Sequence, residues 1–211
     1  MPSFQIDFGY CVKNRNMNVL RTVIEGWGKA VERDAKYLPR DPAYWYGERP
    51  NLSVLAAGAW LSGAVALQEF DGSKGWGKNK YDGRYDLFVG LKSCEIYIEG
   101  KRKFLRAHYS PKQRAKVVAD SIDSVITDAR QVYVTKARSV GCVFFVPWFS
   151  KRAFPSFKKD AVELIRQQVQ SFIDLDSADM WAWCFPKVTR HLPDKSYYPG
   201  VFLGICDVNR R

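Results

Sequence analysis

Nine residues, Val140 to Trp148 (VGCVFFVPW), constrain this chain more than any other stretch. The run is apolar at successive positions and bounded by glycine and proline, so it reads as a strand buried on both faces. A strand of that kind needs a layer packed on each side of its sheet, which in an α/β protein is supplied by helices.

The remaining periodicities supply those layers. Phe4, Ile6, Phe8, Tyr10 and Val12 alternate and predict a strand over 4–12. Val19, Leu20, Val23, Ile24, Trp27, Val31, Ala35 and Leu38 keep helical spacing over 18–38, and the three prolines of 39–50 predict a loop. Asn51 or Ser53 is a candidate cap for a helix that stays apolar nearly all round through Leu67. Its run VLAAGAWLSGAVAL (54–67) is too short to span a bilayer. A Gly- and Lys-rich loop (71–80) and a hairpin (85–101) follow. Ser110-Pro111 opens a further helix whose inward face is Val118, Ile122, Val125, Ala129 and Val132. A helix over Pro155–Ile173 and strands over Met180–Phe185 and Val201–Asp207 complete the chain. No repeat or linker divides it. The expectation is one α/β domain over residues 1–211, with a central mixed β-sheet flanked by helices.

Charge and cysteines narrow the chemistry. Thirty-three Lys and Arg against 22 Asp and Glu give a net charge of +11, which favours polyanions such as nucleic acid as partners. Five scattered cysteines without a CxxC pair, and no secretory signal at the N-terminus, fit reduced thiols in a cytoplasmic protein with no membrane attachment. A structural zinc site is not expected on the same ground. His108 and His191 are the only histidines and neither sits in a motif, so a triad has no support.

The hairpin carries the strongest chemical signal. Alternation puts Ile96 and Ile98 on one face of its second strand and Tyr97, Glu99 and Lys101 on the other. With Lys92-Ser93 as a two-residue turn, Asp86 falls opposite Glu99, and Lys101 falls one step along, opposite Arg84. Two facing carboxylates repel unless a cation lies between them. Hard oxygen donors suit Mg²⁺, with Mn²⁺ as a substitute, and such a cation lowers the pKa of a water and stabilises charge on a phosphate. Arg102, Lys103, Lys112 and Arg114, with Arg84, surround this hairpin and would hold the phosphates of a nucleic acid. The basic-aromatic stretch Lys151, Arg152, Phe154, Phe157, Lys158 and the loop bearing Arg190, Lys195, Tyr197 and Tyr198 are further contact candidates.

Tyr85-Asp86, a spacer, then Glu99-Gly100-Lys101 resembles the bipartite motif of the PD-(D/E)XK nucleases, the restriction-endonuclease-like superfamily, with Tyr85 in place of the nominal proline. The order of elements over about 51–150 is similar to that family's core of helix, three-stranded meander, helix and strand. The resemblance implies a third meander strand, taken from residues 74–82 or from bending of the long second strand. It implies Asp86 and Glu99 as metal ligands, Gly100 offering its carbonyl and Lys101 serving the attacking water. The family often adds an acid on the helix before the motif, a part that falls to Glu69 if the helix runs through Leu67. Asp82 is a rival to Asp86, although beside Gly83 it reads as turn chemistry. The implied activity is metal-dependent hydrolysis of DNA rather than RNA, with a homodimer if both strands of a duplex are cut. The alternatives are a nucleic-acid-binding subunit of a DNA-processing or defence assembly that keeps the fold without catalysis, and a basic adaptor for an acidic protein.

Overall fold

A computed structural model describes residues 7–39, 41–106, 109–132, 134, 137–150, 159–186 and 196–208. In chain order the elements are β1 (Phe8–Val12), α1 (Arg21–Tyr37), α2 (Glu48–Leu61), β2 (Val65–Lys74), β3 (Tyr81–Gly90), β4 (Glu95–Arg106), α3 (Pro111–Ala129), β5 (Arg138–Ser150), α4 (Lys159–Ile173), β6 (Met180–Cys184), β7 (Ser196–Tyr197) and β8 (Val201–Asp207). Among the described residues, seven strands form one mixed sheet in the order β1-β6-β8-β5-β4-β3-β2, and β7 pairs with the end of β5. Neighbours are antiparallel except β4 and β5, which run parallel from Ile96↔Arg138 to Arg106↔Trp148. The expectation of an α/β protein with a central mixed sheet holds.

β5 is buried on both faces, as its sequence requires. Val140, Cys142, Phe144 and Val146 face a core completed by Val23, Ile24 and Trp27 of α1 and Leu52 and Leu55 of α2. Val143 and Phe145 face the opposite core, built with Val118, Ile122 and Val125 of α3 and Val169 and Phe172 of α4. α3 starts with the expected capping box, Ser110 Oγ accepting from the Gln113 N–H while the Gln113 side chain accepts from the Ser110 N–H.

The helix expected through Leu67 ends six residues earlier. Gly63 adopts φ +82°, its N–H donates to Trp60 O, and the Ala64 N–H reaches back to Ala59 O. This pair of bonds is a Schellman stop. Past it the apolar residues change period: Ala64 and Ala66 are buried while Val65 and Leu67 are exposed. The third strand of the meander is therefore β2, supplied by residues 65–74, and neither expected source provides it. α2 also begins earlier than Asn51, at Glu48 after Gly47, and Asn51 Nδ2 donates to Gly47 O instead of capping. The expected 18–38 helix starts as a 3₁₀ segment, Arg15–Leu20. The strand expected over 4–12 is described from Phe8, with residues 4–6 outside the described set. His108, His191, Arg190, Lys195 and the stretch 151–158 also lie outside it.

α2 is held close against α1. A Cβ on Gly58 would lie 2.4 Å from the backbone nitrogen of Trp27, and one on Gly26 would lie 2.1 Å from Gly58 O. Gly58→Ala is therefore expected to destabilise the protein by about 2 kcal/mol or more, read by urea unfolding. An unchanged midpoint would mean the helices separate freely. No helix among the described residues is long and apolar enough to cross a membrane.

Candidate functional site: a carboxylate and lysine cluster

The hairpin forms in the expected register. Leu91 N donates to Cys94 O, and the ladder runs from Gly90↔Glu95 to Leu87↔Ile98. One step further, where Asp86 and Glu99 would pair, the ladder stops. The other flank breaks at the same step: Gln68↔Leu87 and Phe70↔Tyr85 pair, but Glu69 between them adopts φ +51° and does not pair with Asp86. A non-glycine residue in that region marks a local departure from strand geometry. In place of ladder bonds, Asp86 Oδ2 accepts the Gly100 N–H at 2.9 Å. Gly100 itself lies in the β4–β5 ladder opposite Cys142.

Glu99 is 5% exposed. Lys74 Nζ lies 2.8 Å from its Oε1 and 2.9 Å from its Oε2, and donates a hydrogen bond to Oε2. Oε1 is buried, and what compensates it is the ion pair with Lys74 rather than an aligned hydrogen bond. Burial pushes the Glu99 carboxyl up to about 7, Asp86 adds to the rise, and Lys74 opposes it. Burial likewise raises Asp86, against the Gly100 N–H and Lys74, which lower it. Lys101 pairs with Asp128 Oδ2 at 2.5 Å rather than facing Arg84, and that bond is the main cause of its raised pKa. Asp86 and Glu48 act on Lys101 in the same direction.

The structure thus brings Asp86, Glu99, Gly100 and Lys101 together, and adds three residues. Glu48, the first residue of α2, has its carboxyl raised by burial and then by Asp86, against Lys101. Lys74 ends β2 where the sequence suggested a loop. It is fixed by a bridge to Val132 and by the adjoining Gly75 N–H, which donates to Gln131 O. Asp128 comes from the last turn of α3. Only Glu48 had a legible signal, an acid following Gly47 at a possible helix start.

Several expected positions need correction. Glu69 lies in β2, not at a helix end, and its carboxylate is bridged by Arg49 at 3.0 Å and Arg84 at 3.3 Å. Asp82 is in β3 opposite Ser73, not in a turn. Arg84 is committed to Glu69, with Asp71 at 3.9 Å. Arg114 is half-buried, donating to Ser171 Oγ and Tyr109 O, so it ties α3 to α4 instead of facing a phosphate. Arg102 lies 3.9 Å from the Phe104 ring centre, and Lys103 and Lys112 are exposed.

Glu48, Glu69 and Asp86 line an open cleft of about 670 Å³ with Arg49 and Arg84 at its sides. The donor set is all oxygen, the type that holds Mg²⁺, and Lys74 Nζ, 2.8 Å from Glu99 Oε1, stands where such a cation would approach that carboxylate. Among the described residues no three carboxylate, histidine or cysteine side chains converge closely enough to hold a metal ion as placed. Lys74 instead compensates Glu99, and Asp128 pairs with Lys101.

The fold and site together define an α/β protein with a mixed sheet, bearing a partly buried acid–lysine cluster at the end of a three-stranded meander. No family model, no curated protein and no solved structure matches the chain.

Proposed function

We propose that this protein is a metal-dependent nuclease of the PD-(D/E)XK type, hydrolysing phosphodiester bonds of DNA. The observation that carries the reading is that Asp86 and Glu99 flank the ladder's end and act on each other electrostatically, with Gly100 bonded to Asp86, Glu99 compensated by Lys74 and Lys101 within electrostatic reach. The order α2, β2-β3-β4, α3, β5, with β5 parallel to β4, supports it. Asp86, Glu99 and Glu48 would hold Mg²⁺, with Glu69 a more distant candidate because two arginines occupy it. The cation supplies charge stabilisation at the phosphate and acidifies a water. Lys101 would orient that water once Asp128 releases it. Arg102, Lys103 and Lys112 would steady the neighbouring phosphates. Five cysteines that stand as thiols fit a reducing, cytoplasmic setting.

The pairing of both lysines favours a second reading, a nucleic-acid-binding subunit that keeps the fold with its acids neutralised internally. Incubating labelled duplex DNA, single-stranded DNA and RNA with Mg²⁺, Mn²⁺ or EDTA separates the two. Cutting that EDTA stops supports the nuclease, and salt-sensitive binding with no cutting under any condition supports the binding subunit.

A further inference from the structure

Beyond Lys101, β4 continues into a pocket unlike the acidic cleft. Arg102, Lys103, Phe104 and Arg106 of β4, with Trp148 of β5 and Tyr198, line a cavity of about 560 Å³. Among the described residues no carboxylate lines it. Trp148 stands directly across the ladder from Arg106, whose guanidinium lies 5.8 Å from the indole centre. Phe104 and Tyr198 pack against each other, ring centres 5.6 Å apart, and both pack on Trp45. Tyr198 is itself buried, so it and Trp45 back the pocket while Trp148 is the partly exposed ring, and the cations sit at the same end of the strand. Arg102 follows Lys101 directly in β4, so the pocket begins one residue beyond the acid–lysine cluster.

Flat aromatic surface beside guanidinium groups matches the two parts of a nucleotide: the base stacks and the phosphate pairs. A base inside a duplex cannot present its face to such a wall. We infer that this pocket holds an unpaired nucleotide flanking the scissile phosphate, its base against Trp148 and its phosphate on Arg102 and Arg106, so that the substrate enters as a single strand or a frayed end. The inference rests on the nuclease reading for its position relative to the cut, but the pocket's ligand can be tested without metal.

The test is binding of a labelled oligothymidylate in EDTA, followed by fluorescence anisotropy, beside an abasic strand of equal length, a blunt duplex and polyglutamate. The oligothymidylate is expected to bind at least tenfold tighter than the abasic strand, and Trp148→Leu to remove about that factor while Trp148→Phe keeps most of it. Arg106→Gln is expected to lower the slope of log affinity against log salt by about one. Equal affinity for the abasic strand, no loss in Trp148→Leu, or polyglutamate competing as well as DNA would each overturn the pocket as a nucleotide site. Cleavage that ignores Trp148→Leu and single-strandedness would leave the nuclease standing and remove the pocket. Base-dependent binding without cleavage in any metal would keep the pocket and remove the nuclease.

Discussion

Glu99→Ala and Lys101→Ala are each expected to slow Mg²⁺-dependent DNA cleavage by about a hundredfold or more, the scale on which one preorganised charged group contributes to an electrostatically stabilised transition state. The structure adds a finer expectation about which other acid matters. Glu48 is half-buried and coupled to Asp86 and Lys101, whereas Glu69 is held by Arg49 and Arg84 at the cleft's rim. Glu48→Gln should therefore weaken Mg²⁺ activation by about tenfold or more, and Glu69→Gln by much less, since losing a supporting ligand typically costs 10–100-fold in metal affinity. The measurement is initial rate against Mg²⁺ concentration for the four variants. If Glu69→Gln is crippled and Glu48→Gln is not, the acid from β2 completes the site. If Lys101→Ala cleaves at the parental rate, the lysine belongs to Asp128 alone and the proposed mechanism fails.

The difference between Glu48 and Glu69 shows where sequence reasoning reached and where it stopped. Period-two alternation and a two-residue turn were enough to place Asp86 opposite Glu99, because a turn fixes register locally. The doubly apolar β5 was legible for a similar reason: its burial is written into consecutive residues. The boundary of α2 was not, because residues 54–67 are apolar under either period and Ala64 to Leu67 fit a helix face as well as a strand. The Schellman stop at Gly63 decided it, and Ser62-Gly63 was the available sign. Moving that boundary moved Glu69 from helix end to strand and left the helix acid to Glu48. Lys74 and Asp128 were beyond reach altogether. Both enter the site through the docking of residues 74–76 on the end of α3, a tertiary contact between segments more than fifty positions apart. Local pattern carries no record of such a contact.

That docking sets up the second large effect. Lys74→Met is expected to destabilise the protein by about 3 kcal/mol near pH 8, because removing one partner of a buried ion pair leaves an uncompensated charge. For a chain of this length that is a fall in Tm of about 6–12 °C. The loss should shrink as pH falls, and the sign follows from Glu99. Its folded pKa, about 7, stands above the ordinary glutamate value of 4.5. Between those two values the folded state holds the proton more tightly than the unfolded state, so stability falls as pH rises through the window. Lys74 limits that fall, and without it the Glu99 carboxyl rises further and the penalty at pH 8 grows. Near pH 5 Glu99 is protonated in the folded variant, no naked charge is buried, and parent and variant should differ by less than about 1 kcal/mol. Mg²⁺ then separates an ion pair that is only scaffold from one that stands where a cation binds. A cation that takes the Lys74 position stabilises the folded variant by mass action, so Mg²⁺ should raise the Tm of Lys74→Met at pH 8 more than that of the parent. An equal response in both proteins would mean that Lys74 fills no metal position, and Glu99 would then be a buried acid held for structure.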